Sequence, residues 1–250
     1  MTGLHWAYLI AAGLLGGSMN AVAGGGSFVT FPALVLAGLP PIAANATSTV
    51  ALFPGTLAST WAYRKDLAGI AGISLRVLLA ISLAGGLVGA VLLLVTPGAA
   101  FDQVIPWLLL LATLTFAGGQ RLSAWMRRHV RIGRISLLVI QFILGIYGGY
   151  FGGAVGLMTL AVWSLLDTID LKAMAPARTL LVSAANGMAV LCFAAAGAVW
   201  WAEGLAMMAS TIAGGYYGAR FARTLPPSVL RVFVVLLSAA VTIGFFVKAY

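Results

Sequence analysis

The chain has 250 residues, of which 62% are hydrophobic and 8% are charged, whereas a soluble domain carries roughly 25% charged residues. This composition excludes a soluble protein and indicates one integral membrane domain with room for about eight to ten spans of roughly 20 residues each. The net charge of +9 does not indicate nucleic-acid binding, because the basic residues crowd at the ends of apolar runs, the pattern that orients membrane proteins.

Apolar runs follow one another along the whole chain. They cover residues 4–23, 28–38, 43–62, 73–95, 104–119, 135–151, 155–166, 176–199, 202–219 and 228–247. The runs 28–38 and 155–166 are too short to cross a ~30 Å hydrocarbon core at about 1.5 Å per residue. Each of these two is therefore predicted to be a half-helix.

A glycine cluster precedes each half-helix. The first cluster covers residues 24–27 (GGGS) and the second covers residues 152–156 (GGAVG). Irregular backbone at membrane depth is tolerated only where it is buried in protein or lines a cavity. A glycine-interrupted segment at matching places in two halves of a chain points to the binding site of a transporter.

Loop charges predict the topology. The arginine-rich segment 120–134 is assigned to the cytoplasm by the positive-inside rule, and Arg64 and Arg220 place two further helix ends on the same side. Asp102 and Glu203 mark turns on the outer side. Both glycine segments could be helix hairpins that enter the membrane and return to the side from which they came. In that case the second half of the chain has the opposite membrane orientation to the first.

The predicted fold is therefore an all-α polytopic membrane protein with two inverted-topology repeats. Each repeat consists of a glycine-broken helix hairpin followed by about three transmembrane helices. The first repeat covers residues 1–119, the basic cytoplasmic loop covers residues 120–134, and the second repeat covers residues 135–250. A glycine segment that crossed the membrane completely would reverse the side of the N-terminus.

The candidate substrate site combines the glycine breaks with polar residues at the starts of the following helices. The N-terminus of a half-helix presents unpaired N–H groups and a positive dipole end to an anion, and an arginine fork suits a sulfonate or carboxylate. Helix packing by small residues, N-capping, and snorkelling of the arginine to headgroups are the structural alternatives. The predicted site residues are Gly24, Gly25, Gly26, Ser27, Asn45, Thr47, Ser48, Gly152, Gly153, Gly156, Arg178 and Asn186.

Signals of enzymatic chemistry are lacking in the sequence. There is no metal-ligand spacing, no pair of carboxylates within one span, no phosphate loop with a lysine and no nucleophile elbow. His5 and His129 have no carboxylate nearby in sequence, and the acidic residues fall at predicted span ends. The chain is thus predicted not to be an enzyme and to need no metal or cofactor.

A family resemblance is carried by the first glycine segment. Residues 23–32 (AGGGSFVTFP), followed by residues 38–41 (GLPP) and 44–48 (ANATS), resemble the first repeat of the TauE/SafE family of sulfite and organosulfonate exporters. Residues 151–156 (FGGAVG) resemble the second repeat, with two glycines replaced. The resemblance covers essentially the whole chain and implies a bacterial inner-membrane carrier that moves small sulfur-containing anions outward.

The predicted function is accordingly a secondary transporter that exports sulfite or a short organosulfonate through a site between the two hairpins. The alternative is a membrane-embedded accessory or structural subunit without transport activity of its own. A cation channel or carrier would need buried acidic residues. The expected partners are the small anion and the lipid bilayer, nucleic acid is not expected, and a homodimer is left open.

Overall fold

The computed structural model describes residues 3–62, 64–65, 67–129, 132–166, 174–222 and 227–250. Residues 130–131 of the predicted basic loop lie outside this part. The described residues form ten α-helices, which are α1 (Gly3–Ala23), α2 (Ser27–Leu36), α3 (Pro41–Ala62), α4 (Leu75–Val95), α5 (Gly98–His129), α6 (Arg134–Tyr150), α7 (Val155–Trp163), α8 (Ala175–Ala195), α9 (Trp201–Ala222) and α10 (Pro227–Ala249).

Each predicted apolar run corresponds to one of these helices, so the all-helical architecture is confirmed. Within the described part of the chain, four segments are long and apolar enough to cross a membrane, namely Leu75–Val95, Gly98–Gly118, Ala175–Ala195 and Val232–Ala249. Helices α2 and α7 are the two short ones, and each follows a glycine break. Helix α2 packs against α1, and α7 packs against α6.

Two details of the sequence prediction need correction. The basic segment 120–134 is not a loop over most of its length, because α5 continues as a helix to His129. The segment favours helix, because it contains glutamine, leucine, alanine, methionine and arginine residues, which have high helix propensities. Charged residues therefore end the apolar run without ending the helix. Glu203, expected in an outer turn, lies in the first turn of α9 with only 3% of its surface exposed.

Helices α1 and α9 pack closely in parallel. Gly13 of α1 faces Ser210 of α9, and one turn further along Ser18 donates its hydroxyl to the carbonyl of Gly214 at 2.9 Å. Both residue numbers increase together, so the two helices run in the same direction. Glycine allows this approach, because a side chain at Gly13 would collide with Ser210.

Helices α4 and α6 pack against each other in the same way. The amide of Gln141 donates to the hydroxyl of Ser82 at 2.9 Å, and further along Gly89 faces the backbone carbonyl of Ile146. These two helices also run in parallel. The first helix of each half therefore packs along the fourth helix of the opposite half. These pairs are α1 with α9 and α6 with α4.

Helices α3 and α8 cross at the centre of the fold in antiparallel directions. The hydroxyls of Thr60 and Ser183 lie 2.7 Å apart, and Ser183 also donates to the carbonyl of Thr56 at 3.1 Å. Towards the other end of the crossing, Gly187 packs against the ring of Phe53. The polar contacts thus connect the two halves of the chain directly.

Local hydrogen bonds also recur in both halves. Thr30 in α2 and Thr159 in α7 each donate to the carbonyl four residues earlier, at 3.1 and 2.9 Å. The hydroxyls of Thr113 in α5 and Thr242 in α10 lie 2.9 Å apart and are separated by 129 positions in the sequence. Thr30 and Thr159 are separated by the same number of positions.

The glycines between α4 and α8 are expected to limit stability. A Cβ atom at Gly86 would lie 2.5 Å from the carbonyl oxygen of Ala185, so Gly86→Val must push these helices apart. We expect a loss of about 1–3 kcal/mol, read as a lower melting temperature and a smaller monodisperse fraction in detergent. Gly244→Val is the control, because nothing lies within 4 Å of its Cβ position. Equal melting of the two variants would contradict close packing at Gly86.

Candidate functional site

The first glycine break joins α1 to α2 through a short irregular segment. Gly24 has a φ of 70°, a left-handed conformation that glycine adopts at little cost, and its N–H donates to the carbonyl of Asn20 at 2.9 Å. Among the described residues, no backbone carbonyl accepts from the N–H groups of Gly25, Gly26 or Ser27. These are donors that the start of α2 leaves available.

The second break joins α6 to α7 in a similar way. Gly152 has a φ of 78°, and Ala154, which precedes the first residue of α7, has a φ of 59°. For an alanine this left-handed conformation costs about 1–2 kcal/mol. The surrounding packing therefore holds a strained residue directly before α7, and strain of this kind is concentrated at functional sites.

The two breaks meet at one cavity. It has a volume of about 30 Å³, which gives room for about two water-sized groups. It lies between α1, α3 and α8, with the start of α2 and the second break at its edge. The described residues that line it are Asn20, Ser27, Thr49, Leu52, Phe53, Thr56, Gly152 and Asn186.

Two side-chain amides reach this cavity from opposite halves. The Nδ2 atom of Asn20 lies 3.9 Å from the Cβ position of Gly55, and the Oδ1 atom of Asn186 lies 3.7 Å from the Cβ position of Gly152. The Oδ1 atom of Asn186 is buried and has no hydrogen-bond partner within the described part of the chain. Because a buried unpaired acceptor costs roughly 1–3 kcal/mol, this atom is a candidate for contact with a ligand.

The hydroxyls on α3 complete the polar lining. Thr49 donates to the carbonyl of Asn45 at 2.9 Å, and Thr56 donates to the carbonyl of Phe53 at 2.8 Å. Both bonds stay within the helix, so either hydroxyl can rotate to donate to a ligand instead. Thr49, Phe53 and Thr56 follow one another at helical spacing on the face that α3 turns to the cavity.

Three of the predicted site residues form bonds between helices and do not line this cavity. Asn45 donates to the carbonyl at the end of α6 at 2.9 Å, Thr47 accepts from the backbone N–H of Trp200 at 3.0 Å, and the hydroxyls of Ser48 and Thr30 lie 2.6 Å apart. All three are buried. They hold the start of α3 against α6, α9 and α2.

The predicted glycines divide into packed and open positions. A Cβ at Gly25 would lie 2.9 Å from a phenylalanine ring of α5, one at Gly26 would lie 2.7 Å from a backbone oxygen of α1, and one at Gly153 would lie 2.7 Å from a ring of its own break. Gly24 and Gly156 have no atom within 4 Å of their Cβ positions. Gly25 therefore serves the close packing of the first break against α5, and Gly26 serves its packing against α1.

Arg178 lies on α8 but not among the described residues that line the cavity. It is half-buried in the first turns of α8, and its backbone N–H donates to the carbonyl of Met174 at 3.0 Å. Asn186 follows eight residues later, about 12 Å along the helix axis. The Thr60–Ser183 bridge lies between the two positions.

The sequence prediction missed Asn20, Thr49 and Thr56. Asn20 was detectable, because it is the one amide in the largely apolar α1 and lies four residues before Gly24. Thr49 belongs to the same polar stretch as Asn45, and only the helix register separates a residue that faces the cavity from one that faces α6. Nothing in the sequence around Thr56 indicated that this residue would line the cavity.

Comparison with known proteins agrees with this architecture. The sulfite exporter TauE/SafE family matches residues 9–245. A "Probable membrane transporter protein" of Haemophilus influenzae is 31% identical over 238 residues, which cover 94% of this chain and 92% of that protein. The "Probable membrane transporter protein YfcA" of Escherichia coli is 28% identical over 236 residues, covering 94% of this chain and 87% of that protein.

A further relative, the "Probable membrane transporter protein ORF9" of a Sinorhizobium species, is 28% identical over 240 residues, which cover 95% of this chain and 90% of that protein. No solved structure matches the chain. The family match includes both glycine breaks and every described residue that lines the cavity. The chain therefore belongs to the sulfite exporter TauE/SafE family of membrane transporters.

Proposed function

We propose that this protein is a secondary transporter that exports a small sulfur-containing anion, sulfite or a short organosulfonate, across a bacterial inner membrane. The observation that carries the proposal is the cavity at which Ser27 of the first break and Gly152 of the second break line one space beside Asn20 and Asn186. Side-chain amides, hydroxyls and helix N-termini supply the hydrogen-bond donors that an oxyanion needs.

The transporter would consist of two inverted-topology repeats, residues 1–119 and 135–250. In support, the helix pairs correspond when the five helices of the first half are matched in order with the five of the second half. Helix α1 then matches α6 and α4 matches α9, so the parallel pair α1–α9 corresponds to the parallel pair α6–α4. By the same matching, each of the antiparallel pairs α3–α8 and α5–α10 corresponds to itself, with its two helices exchanged. A returning hairpin of α1 and α2 followed by three crossings would invert the second half.

In this proposal the anion binds beside the α3–α8 crossing. Ser27 and Asn186 belong to the predicted site, and Asn20, Thr49 and Thr56 join them. Arg178 would attract the anion at the cytoplasmic end of α8, where an arginine is a long-range electrostatic guide. The cavity has room for only about two water-sized groups, so the helices around it would separate during the transport cycle, as alternating access requires.

Flux measurements in liposomes test the proposal. We expect the purified, reconstituted protein to move sulfite and methanesulfonate well above the rate of protein-free liposomes, and to move neither sodium nor potassium, because the lining offers neutral donors and no carboxylate among its described residues. An accessory subunit would move none of these ions. Cation flux without anion flux would contradict the proposal.

A further inference from the structure

The cavity lining is polar but neutral. Its described polar side chains are two amides and three hydroxyls. The helices that pack on α8 are α3, α4, α6 and α7. The charged or titratable residues described on these helices and on α8 itself are Arg76, Arg134, Tyr147, Tyr150, Arg178 and Cys192, and none of these six lines the cavity.

A neutral lining discriminates between anions by charge. The Born cost of removing an ion from water rises with the square of its charge, so a dianion costs about four times as much as a monoanion of the same size. Hydrogen bonds from neutral donors in the cavity offset only part of this desolvation free energy. A singly charged oxyanion is therefore the better fit to this cavity.

The unpartnered acceptor points to the same species independently. The Oδ1 atom of Asn186 is buried and accepts no hydrogen bond within the described residues, whereas the hydroxyls of Ser27, Thr49 and Thr56 can donate. The sulfite dianion offers acceptors only and would leave the Oδ1 atom of Asn186 without a donor. A protonated oxyanion offers one O–H donor for Asn186 and several acceptor oxygens for the hydroxyls.

Building on the proposed function, we infer that the cavity binds singly charged oxyanions, and that it therefore takes sulfite in its protonated form, hydrogen sulfite. The proton then leaves the cell on the substrate itself. One negative charge crosses the membrane for each sulfite exported, and no protein group has to bind and release a proton. Asn186 is the specificity-determining residue that recognises the O–H group.

Three anions separate this inference from its alternatives. Sulfite titrates between one and two charges near neutral pH, methanesulfonate keeps one charge and has no acidic O–H, and sulfate keeps two charges. In proteoliposomes with equal pH on both sides and the voltage clamped, we expect sulfite flux to rise as pH falls, in proportion to the hydrogen sulfite fraction. Methanesulfonate flux should not change with pH, and sulfate should not be transported.

The contrary results are distinct from failure of the proposed function. Flux of sulfite that rises with pH, transport of sulfate, or two charges moved per sulfite would overturn the inference. The same pH dependence for methanesulfonate would also overturn it, because the titrating group would then belong to the protein. If neither sulfite nor methanesulfonate moves, the proposed export function itself is wrong.

A variant at Asn186 tests the residue that recognises the proton. Asn186→Ala removes the acceptor without adding bulk to the cavity, so hydrogen sulfite flux should fall about tenfold while methanesulfonate flux falls less than twofold. Leu191→Ala is the control on the same helix, at a side chain that is 65% exposed. An equal loss for both anions would contradict the role of Asn186, and the wild-type pH profiles test the protonated form without any variant.

Discussion

Thr49→Trp is expected to reduce anion flux to the background of protein-free liposomes while leaving the protein folded. Thr49 is half-buried and lines the cavity, which holds only about 30 Å³. An indole at this position would fill that space and block access to Asn186 on the facing α8. Because the substrate must occupy the same volume in any route between the two breaks, blocking it should remove transport completely rather than raise the apparent KM.

The matched control is Leu57→Trp, two turns further along α3. Leu57 is 47% exposed and lies on the outer face of the helix, where a tryptophan suits the lipid or its interface. Both variants should elute as the wild type does in size-exclusion chromatography. Normal sulfite flux through a folded Thr49→Trp protein would mean that the anion crosses elsewhere, and loss of flux in both variants would mean that any bulky side chain on α3 is harmful.

The helices and their order were predictable because hydrophobic length is a strong signal in membrane proteins. The half-helices α2 and α7 were predictable for the same reason, since their apolar runs are too short to span. The end of α5 was not, because the arginines that end its apolar run are also good helix formers. Hydropathy therefore locates the membrane-spanning part of a helix rather than its end.

The predicted site residues only partly coincide with the residues that line the cavity. The glycine clusters drew attention to Ser27 and Gly152, which line it, because a break in a helix at membrane depth needs a local reason. The polar start of α3 was ambiguous, since successive residues of a helix point in directions about 100° apart. Thr49 faces the cavity, whereas Thr47 and Ser48 bond to neighbouring helices. Choosing among them requires knowing which helices surround α3.

Glu203 shows a different limit of sequence reasoning. Its charge at the start of the apolar run 202–219 predicted a turn on the outer side, yet it is nearly completely buried in the first turn of α9. A carboxylate is stabilised at a helix N-terminus by the macrodipole, and the packing of α9 against α1 and α3 covers it. Burial of a helix end depends on such tertiary contacts, which composition does not report.

Membrane potential alone is expected to drive export. An anion that leaves a negative interior gains about 2.3 kcal/mol per charge for each 100 mV, which corresponds to a concentration ratio of roughly 50-fold at equilibrium. We therefore expect methanesulfonate to accumulate about 50-fold on the positive side of proteoliposomes held at 100 mV by a potassium gradient and valinomycin, with pH and sodium equal on both sides. Without valinomycin the ratio should stay near unity.

Methanesulfonate is the right probe for this measurement because its charge does not change with pH, so a proton cannot travel on it. Accumulation that ignores the potential but follows an imposed pH gradient would show that the protein itself carries a proton. The buried carboxylate of Glu203 would then be the first residue to test, and Glu203→Gln should remove the pH-driven accumulation. If transport is potential-driven uniport, Glu203→Gln should leave the roughly 50-fold ratio unchanged, because the equilibrium ratio depends only on the charge moved and not on the rate.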